Sequence, residues 1–425
     1  MGRGESDSRG VSGPSQIADA RRLAAEVVAR CRRLAEFSED AGSTRRTFLS
    51  PPMRDVHREI ASWLAPLGVN VRIDAAGNLR AEYPAARPGG RRLLIGSHLD
   101  TVPNAGAFDG ILGVVIAVAL LQGLQGKKLP FAIEVAGFSE EEGVRFGTPF
   151  IGSRAMVGRL DDELLAQRDA AGVSVRQAIG QFGLNPAEIR SAQIGDDVMG
   201  YVEFHIEQGP VLEKLGLPLA AVDAIAGQSR MEFTFTGRAN HAGTTPMSLR
   251  SDAMAAAAEW IVAVEREARA AAGLVATVGS VKTKPGVTNV IAGETRVSLD
   301  VRHRHDAVRH EALKKFEQAA EAIAQARGLS VRSETKMDQA AVEMDAQLKG
   351  HIAESIRAAG CVTHHMVSGA GHDAMIVAER VPAGMIFLRT PGGVSHDPAE
   401  SVSVEDVEKA IVCGLHLLER LTAAE

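Results

Sequence analysis

The stretch that most constrains this sequence is a fourteen-residue apolar run, 111–124 (ILGVVIAVALLQGL), set between two segments rich in branched aliphatic residues. A segment apolar on all sides has no solvent face, so it is stable as a helix only where protein surrounds it. It is too short for a bilayer span, which needs about 20 apolar residues. The flanking segments, 92–97 (RLLIGS) and 131–138 (FAIEVAGF), read as strands. A strand, a buried helix and a second strand make the crossover that joins neighbours in a parallel sheet. The theme returns with a strand at 201–206, a helix at 346–359, a strand at 384–388 and an amphipathic helix at 404–421. These elements predict an α/β fold, a largely parallel sheet covered by helices.

The middle of the chain follows another pattern. Residues 230–236 (RMEFTFT) alternate like a strand with one open face, a helix follows over 252–271, two further alternating strands cover 276–282 and 295–301, and a helix runs over 306–327. This order predicts a small α+β sandwich at 214–331, inserted into a larger domain split between 17–213 and 332–425.

Composition excludes several classes. The net charge of −6 gives no basic field for nucleic acid or an anionic membrane. Three cysteines, Cys31, Cys361 and Cys413, form neither a disulfide framework nor a Cys-x-x-Cys motif, as expected of free thiols in a reducing compartment. Residues 1–16 are polar, rich in Gly and Ser, and lack the apolar core of a signal peptide; they read as a disordered leader on a cytoplasmic protein.

Chemistry concentrates at the ends of the expected strands, where α/β sheets place their ligands. His98 and Asp100 close the first strand, and Asp109 precedes the buried helix. Glu140, Glu141 and Glu142 follow the second strand, His205 ends the third, and His396 lies in a Gly- and Pro-marked loop. Singly, each has an ordinary explanation: a packed histidine, a helix cap, a solvated acidic turn. Together, three histidines with Asp109 and Glu142 supply nitrogen and oxygen ligands without sulfur, which suits zinc, manganese, cobalt or nickel. Two cations about 3.5–4 Å apart sharing one carboxylate form a recurrent hydrolytic device, and Glu141 is placed to act as its general base.

The segments GSHLDTVPNAGAFDGILGV, EEEGVRFGTPFIGSRAM, HIEQGPVLE, NHAGTTPM, TNVIAGE, SGAGHDAM and GGVSHDPAE, spread over about residues 93–400, resemble the M20 metallopeptidase superfamily. The nearer likeness is to its hydantoinase/carbamoylase branch, the N-carbamoyl-L-amino acid hydrolases, β-ureidopropionases, and allantoate and ureidoglycolate amidohydrolases. The resemblance implies a di-metal amidohydrolase acting on a ureido compound that carries a carboxylate, and makes the inserted domain a lid and dimerisation module. It implies that His98 and His205 hold one metal, Glu142 and His396 the other, and Asp109 both, with Glu141 as base and Asp100 orienting His98. Substrate contacts would come from Gln208, Asn240, Asn289, Arg302 as carboxylate clamp, and the Gly369–Gly371 loop. His241 would stabilise the oxyanion from the partner subunit of a homodimer. Asp397, beside His396, departs from the Asn or Ser expected there. Alternatives are a dipeptidase or aminoacylase of the wider superfamily and a non-catalytic metal-binding homologue.

Overall fold

A computed structural model of the chain describes residues 14–424. Of the expected leader, the residues before 14 lie outside the described ones, while Pro14–Gln16 open the helix Pro14–Ala35. The chain divides into two compact units: a larger one formed by the chain up to Asp223, Met344–Met366 and His372–Glu425, and a smaller one formed by Ala224–Glu343 and Val367–Gly371.

In the larger unit the apolar run forms the helix Ile111–Gly123, buried at every residue except Gln122. The flanking strands, Arg92–His98 and Ala132–Phe138, pair in parallel, as the crossover requires. Val198–Ile206 adds to the other side of Arg92–His98, and Ala383–Leu388 adds next to it, again in parallel. Antiparallel strands flank this parallel centre: Leu79–Tyr83 and Asn70–Ile73 on one side, Leu219–Ile225 on the other. The sheet is therefore mixed, with its parallel part where the sequence places it. Gly113 shows how closely the buried helix sits on the sheet. A Cβ there would lie 2.2 Å from the Phe204 carbonyl oxygen, so only glycine permits this approach. Helices Pro14–Ala35 and Val404–Ala424 pack on that helix and on each other, completing an aliphatic core. No helix among the described residues is long and apolar enough to cross a membrane.

The smaller unit is an antiparallel sheet in the order Ser330–Gln339, Gly227–Thr236, Glu294–His303, Val275–Thr277, with Val281–Lys284 also pairing to Glu294–His303. The expected strand 276–282 is thus two short strands. Ser330–Gln339 pairs along Gly227–Thr236, which carries the unit to Glu343 rather than 331. At its start, Leu219–Leu388 pairing keeps the chain in the larger sheet past 214, and the smaller unit begins at Ala224.

Its core forms where helices Ala253–Ala270 and Asp306–Ala326 meet the inward side chains of the strands. Trp260 is fully buried, lies 4.4 Å from the Phe233 ring, and donates its indole N–H to the Phe316 carbonyl at 2.8 Å. Truncation removes both the packing and the hydrogen-bonded group. Trp260→Ala is expected to destabilise this unit by about 3–5 kcal/mol, read as a lowered midpoint in urea unfolding followed by circular dichroism.

Candidate metal centre

Three adjacent parallel strands of the larger unit end together, and their ends carry the ligand-type residues. His98 terminates Arg92–His98, the Glu140–Glu142 run follows Ala132–Phe138, and His205 lies at the end of Val198–Ile206. His396 follows Ala383–Leu388, the next strand of the parallel set. Asp109 precedes the buried helix, and the turn at Gly110 has φ +69°. A Cβ on Gly110 would sit 2.4 Å from the His98 ring, so glycine both makes the turn and leaves room for the imidazole.

Asp109 is the centre of the arrangement. Its Oδ1 is 3.5 Å from His98 Nε2 and 3.2 Å from His205 Nε2, and its Oδ2 is 3.1 Å from His396 Nε2. His396 Nε2 is in turn 3.3 Å from Glu142 Oε1. Among the described residues four groups of metal-ligand type have their donor atoms within 4.8 Å of one another: two share Asp109, His98–Asp109–His205 and Asp109–Glu142–His396, and two do not, His98–Glu141–Glu142 and Glu203–His205–His372. Asp109 Oδ1 and His205 Nε2 are buried and make no aligned hydrogen bond. Buried donors and acceptors are normally paired, because leaving one unmade costs about 1–3 kcal/mol. Nitrogen and oxygen lone pairs converging from two sides of one carboxylate fit a binuclear divalent metal centre.

The electrostatics of the protein alone point the same way. Burial pushes the Asp109 carboxyl up, but the imidazoles of His205, His396 and His98 outweigh it and hold the group well below its usual range. Burial likewise pushes His98 down, and the charges of Glu141, Asp109 and Asp100 reverse this. Glu141 is driven well upward by burial and by Glu142, Asp373 and Asp100, against the pull of His98. Such a crowd of buried carboxylates calls for cationic charge.

The surrounding contacts fix these groups. His98 Nδ1 hydrogen-bonds the backbone carbonyl of Asp100 at 3.0 Å, while the Asp100 carboxylate lies 3.7 Å away. That carboxylate instead accepts the backbone N–H groups of Glu141 and Glu142, at 2.9 and 3.1 Å. Glu140, with φ +52°, turns away from the cluster and accepts the backbone N–H groups of Phe48 and Arg145. Gln208, with φ +58°, donates to Asp109 Oδ2 at 2.8 Å and keeps a buried Oε1 with no hydrogen bond. His372 is buried edge-on against His205, ring centroids 4.4 Å apart; burial and the His205 charge hold its pKa well down.

Three contributors escaped the sequence reading. Glu400 accepts the backbone N–H groups of Phe108 and Asp109 at 2.8 and 3.0 Å, tying the Asp109 loop to the His396 loop. Ser395 Oγ lies 3.2 Å from Asp109 Oδ2. Glu203 accepts from Ser97 Oγ at 2.7 Å and from the Ala374 N–H at 2.9 Å, behind the ligands. Glu400 closes the GGVSHDPAE segment, the only local signal for it.

The remaining expected site residues lie in the smaller unit. Asn240–His241 and Asn289–Val290 belong to adjoining loops, joined by the Ala242 N–H to the Asn289 carbonyl and the Ile291 N–H to the Asn240 carbonyl. His241 is exposed, and its Nδ1 accepts the backbone N–H groups of Gly243 and Thr244 at 3.0 and 3.2 Å. An Nδ1 that accepts puts the proton on Nε2, making the outer edge of the ring a donor. Arg302 is paired with Asp300 and donates to the Gly369 carbonyl. The Gly369–Gly371 loop thus offers the Gly369 carbonyl to Arg302.

Two histidine–carboxylate clusters sharing one aspartate, at the C-terminal ends of parallel strands, define a metal-dependent hydrolase of the binuclear type. The family model described as Peptidase family M20/M25/M40 matches residues 94–420. The chain is 40% identical over 401 residues to an N-carbamoyl-L-amino acid amidohydrolase of Geobacillus stearothermophilus, covering 92% of this chain and 98% of that one. It is 37% identical over 431 residues to allantoate deiminase 2 of Glycine max, covering 93% and 89%. A crystal structure of an amidase of the hydantoinase/carbamoylase family from Burkholderia multivorans superposes with a TM-score of 0.89 at 28% identity, covering 95% and 98%. The chain belongs to peptidase family M20, in its hydantoinase/carbamoylase branch.

Proposed function

We propose that this protein hydrolyses the C–N bond of a small ureido compound bearing a carboxylate, an N-carbamoyl-L-amino acid or allantoate, releasing ammonia and carbon dioxide from the carbamoyl group. The observation that carries this reading is Asp109 presenting one oxygen to His98 and His205 and the other to His396, beside Glu142. The likeness to relatives named for carbamoyl-amino acid and allantoate hydrolysis supplies the substrate class.

In this reading His98, His205 and Asp109 hold one divalent ion, and Glu142, His396 and Asp109 the other. Zinc, manganese, cobalt or nickel suits the set, and when bound the pair polarises a carbonyl and acidifies water. Glu141 takes the proton of the attacking water and returns it to the departing nitrogen. His241 donates from Nε2 to the oxyanion, supplied by the partner subunit of a homodimer, with Asn240 and Asn289 shaping its loop. Arg302 holds the substrate carboxylate, and the buried Oε1 of Gln208 accepts from the ureido N–H groups.

The test is a substrate panel on metal-loaded protein: allantoate, several N-carbamoyl-L-amino acids, Gly-Gly and N-acetyl amino acids. Ammonia from a ureido compound, with little cleavage of the others, is expected. Preferential cleavage of the dipeptide or acyl compounds would replace the ureido reading with a dipeptidase or aminoacylase.

A further inference from the structure

Along the strand Glu294–His303 burial alternates residue by residue, and Asp300 and Arg302 fall in the less buried set that shares one face. Across the antiparallel pair, Asp300 stands opposite Arg230, and Arg302 opposite Gln228. Asp300 is therefore met from three directions. Arg302 donates Nε to Oδ1 at 2.8 Å and Nη2 to Oδ2 at 3.1 Å. Gln228 Nε2 and Arg230 Nε donate to Oδ2 at 2.5 and 3.2 Å. The other end of the Arg302 guanidinium donates Nη1 to the Gly369 carbonyl at 2.6 Å.

A guanidinium carries five N–H groups in a fixed fork. Three are used here, so two remain, one on each terminal nitrogen. Arg302, Asp300 and Gly369 line a cavity of about 1090 Å³ in the smaller unit, together with Val275, Thr277 and Val367. A carboxylate this close could in principle cancel the charge of Arg302. Two guanidiniums, Arg302 and Arg230, share the single Asp300 carboxylate, so the group keeps one net positive charge. It still favours an anion, and the long side chain is already ordered before any ligand arrives.

We propose that Asp300 is a positioning residue, holding Arg302 by its Nε edge so that the two remaining N–H groups face a ligand carboxylate. This rests on the reading of Arg302 as the carboxylate clamp. Asp300 touches no substrate and acts through Arg302 alone, so its effect belongs in substrate binding and not in the chemical step.

The experiment compares wild type, Asp300→Asn, Asp300→Ala, Arg302→Met and the double variant Asp300→Asn/Arg302→Met, as metal-loaded full chains. The substrate is allantoate or N-carbamoyl-L-methionine, whichever wild type turns over. Asp300→Asn is expected to raise KM by about tenfold and leave kcat within about threefold, with Asp300→Ala alike. In the Arg302→Met background the same change should leave KM where it is. An unchanged or lowered KM in the single variants would overturn the proposal, as would an equal rise in the Arg302→Met background. If Arg302→Met itself leaves KM unaltered, or wild type turns over neither compound, the clamp reading beneath it fails instead.

Discussion

Glu141→Gln is expected to lower kcat by about 10²–10⁴-fold, the usual worth of a positioned general base, with both metals still bound. The side chain is 9% exposed, and its carboxylate lies 3.9 Å from His98 Nε2, at the edge of the first cluster. Its backbone is pinned by the Asp100 carboxylate through its own N–H and that of Glu142, so the two successive glutamates are held as a pair. Glutamine preserves shape and volume and removes the capacity to carry the proton. Neither cluster built around Asp109 contains Glu141, which groups instead with His98 and Glu142. Ammonia release and metal analysis on the same preparation check this. Activity within about tenfold of wild type would remove Glu141 from the proton transfer.

Asp109→Ala is expected to have the second large effect, loss of both metals together. Its two oxygens face separate histidine sets, so one truncation takes a ligand from each cluster. Metal affinity should fall by more than about 100-fold, beyond the range produced by changing groups outside the ligand shell. Turnover should vanish with it. The comparison is His396→Ala, which touches only the cluster with Glu142 and should leave one ion bound. Calorimetric metal titration separates the cases. Two ions bound at wild-type affinity to Asp109→Ala would show that Asp109 bridges nothing.

What could be seen in the sequence follows from locality. The buried helix and its two strands announce themselves because every residue of 111–124 except Gln122 is apolar or glycine, and the surroundings of such a segment are dictated by solvent exclusion. The ligand-type residues follow, since parallel strands end on one side and His98, Glu142 and His205 sit at those ends. The strand Ser330–Gln339 is harder. It reads SVRSETKMDQ, mostly polar and exposed, and gains its place from backbone pairing with Gly227–Thr236, which leaves no hydrophobic period. Glu400 is harder still: its partners, Phe108 and Asp109, are nearly three hundred residues away, and nothing beside it in the chain marks them. The acidic triplet shows both sides. Its position is legible, but the part played by Glu140 is not, because that depends on its positive φ, which turns its carboxylate toward the backbone of Phe48 and Arg145.

The most direct measurement is ammonia release from allantoate and N-carbamoyl-L-amino acids by chelator-stripped protein, followed as Mn²⁺ or Zn²⁺ is returned stepwise. A binuclear ureido hydrolase predicts no turnover without metal and a rise that saturates at two ions per chain. Undiminished turnover by the stripped protein, or none with two ions bound, would contradict it.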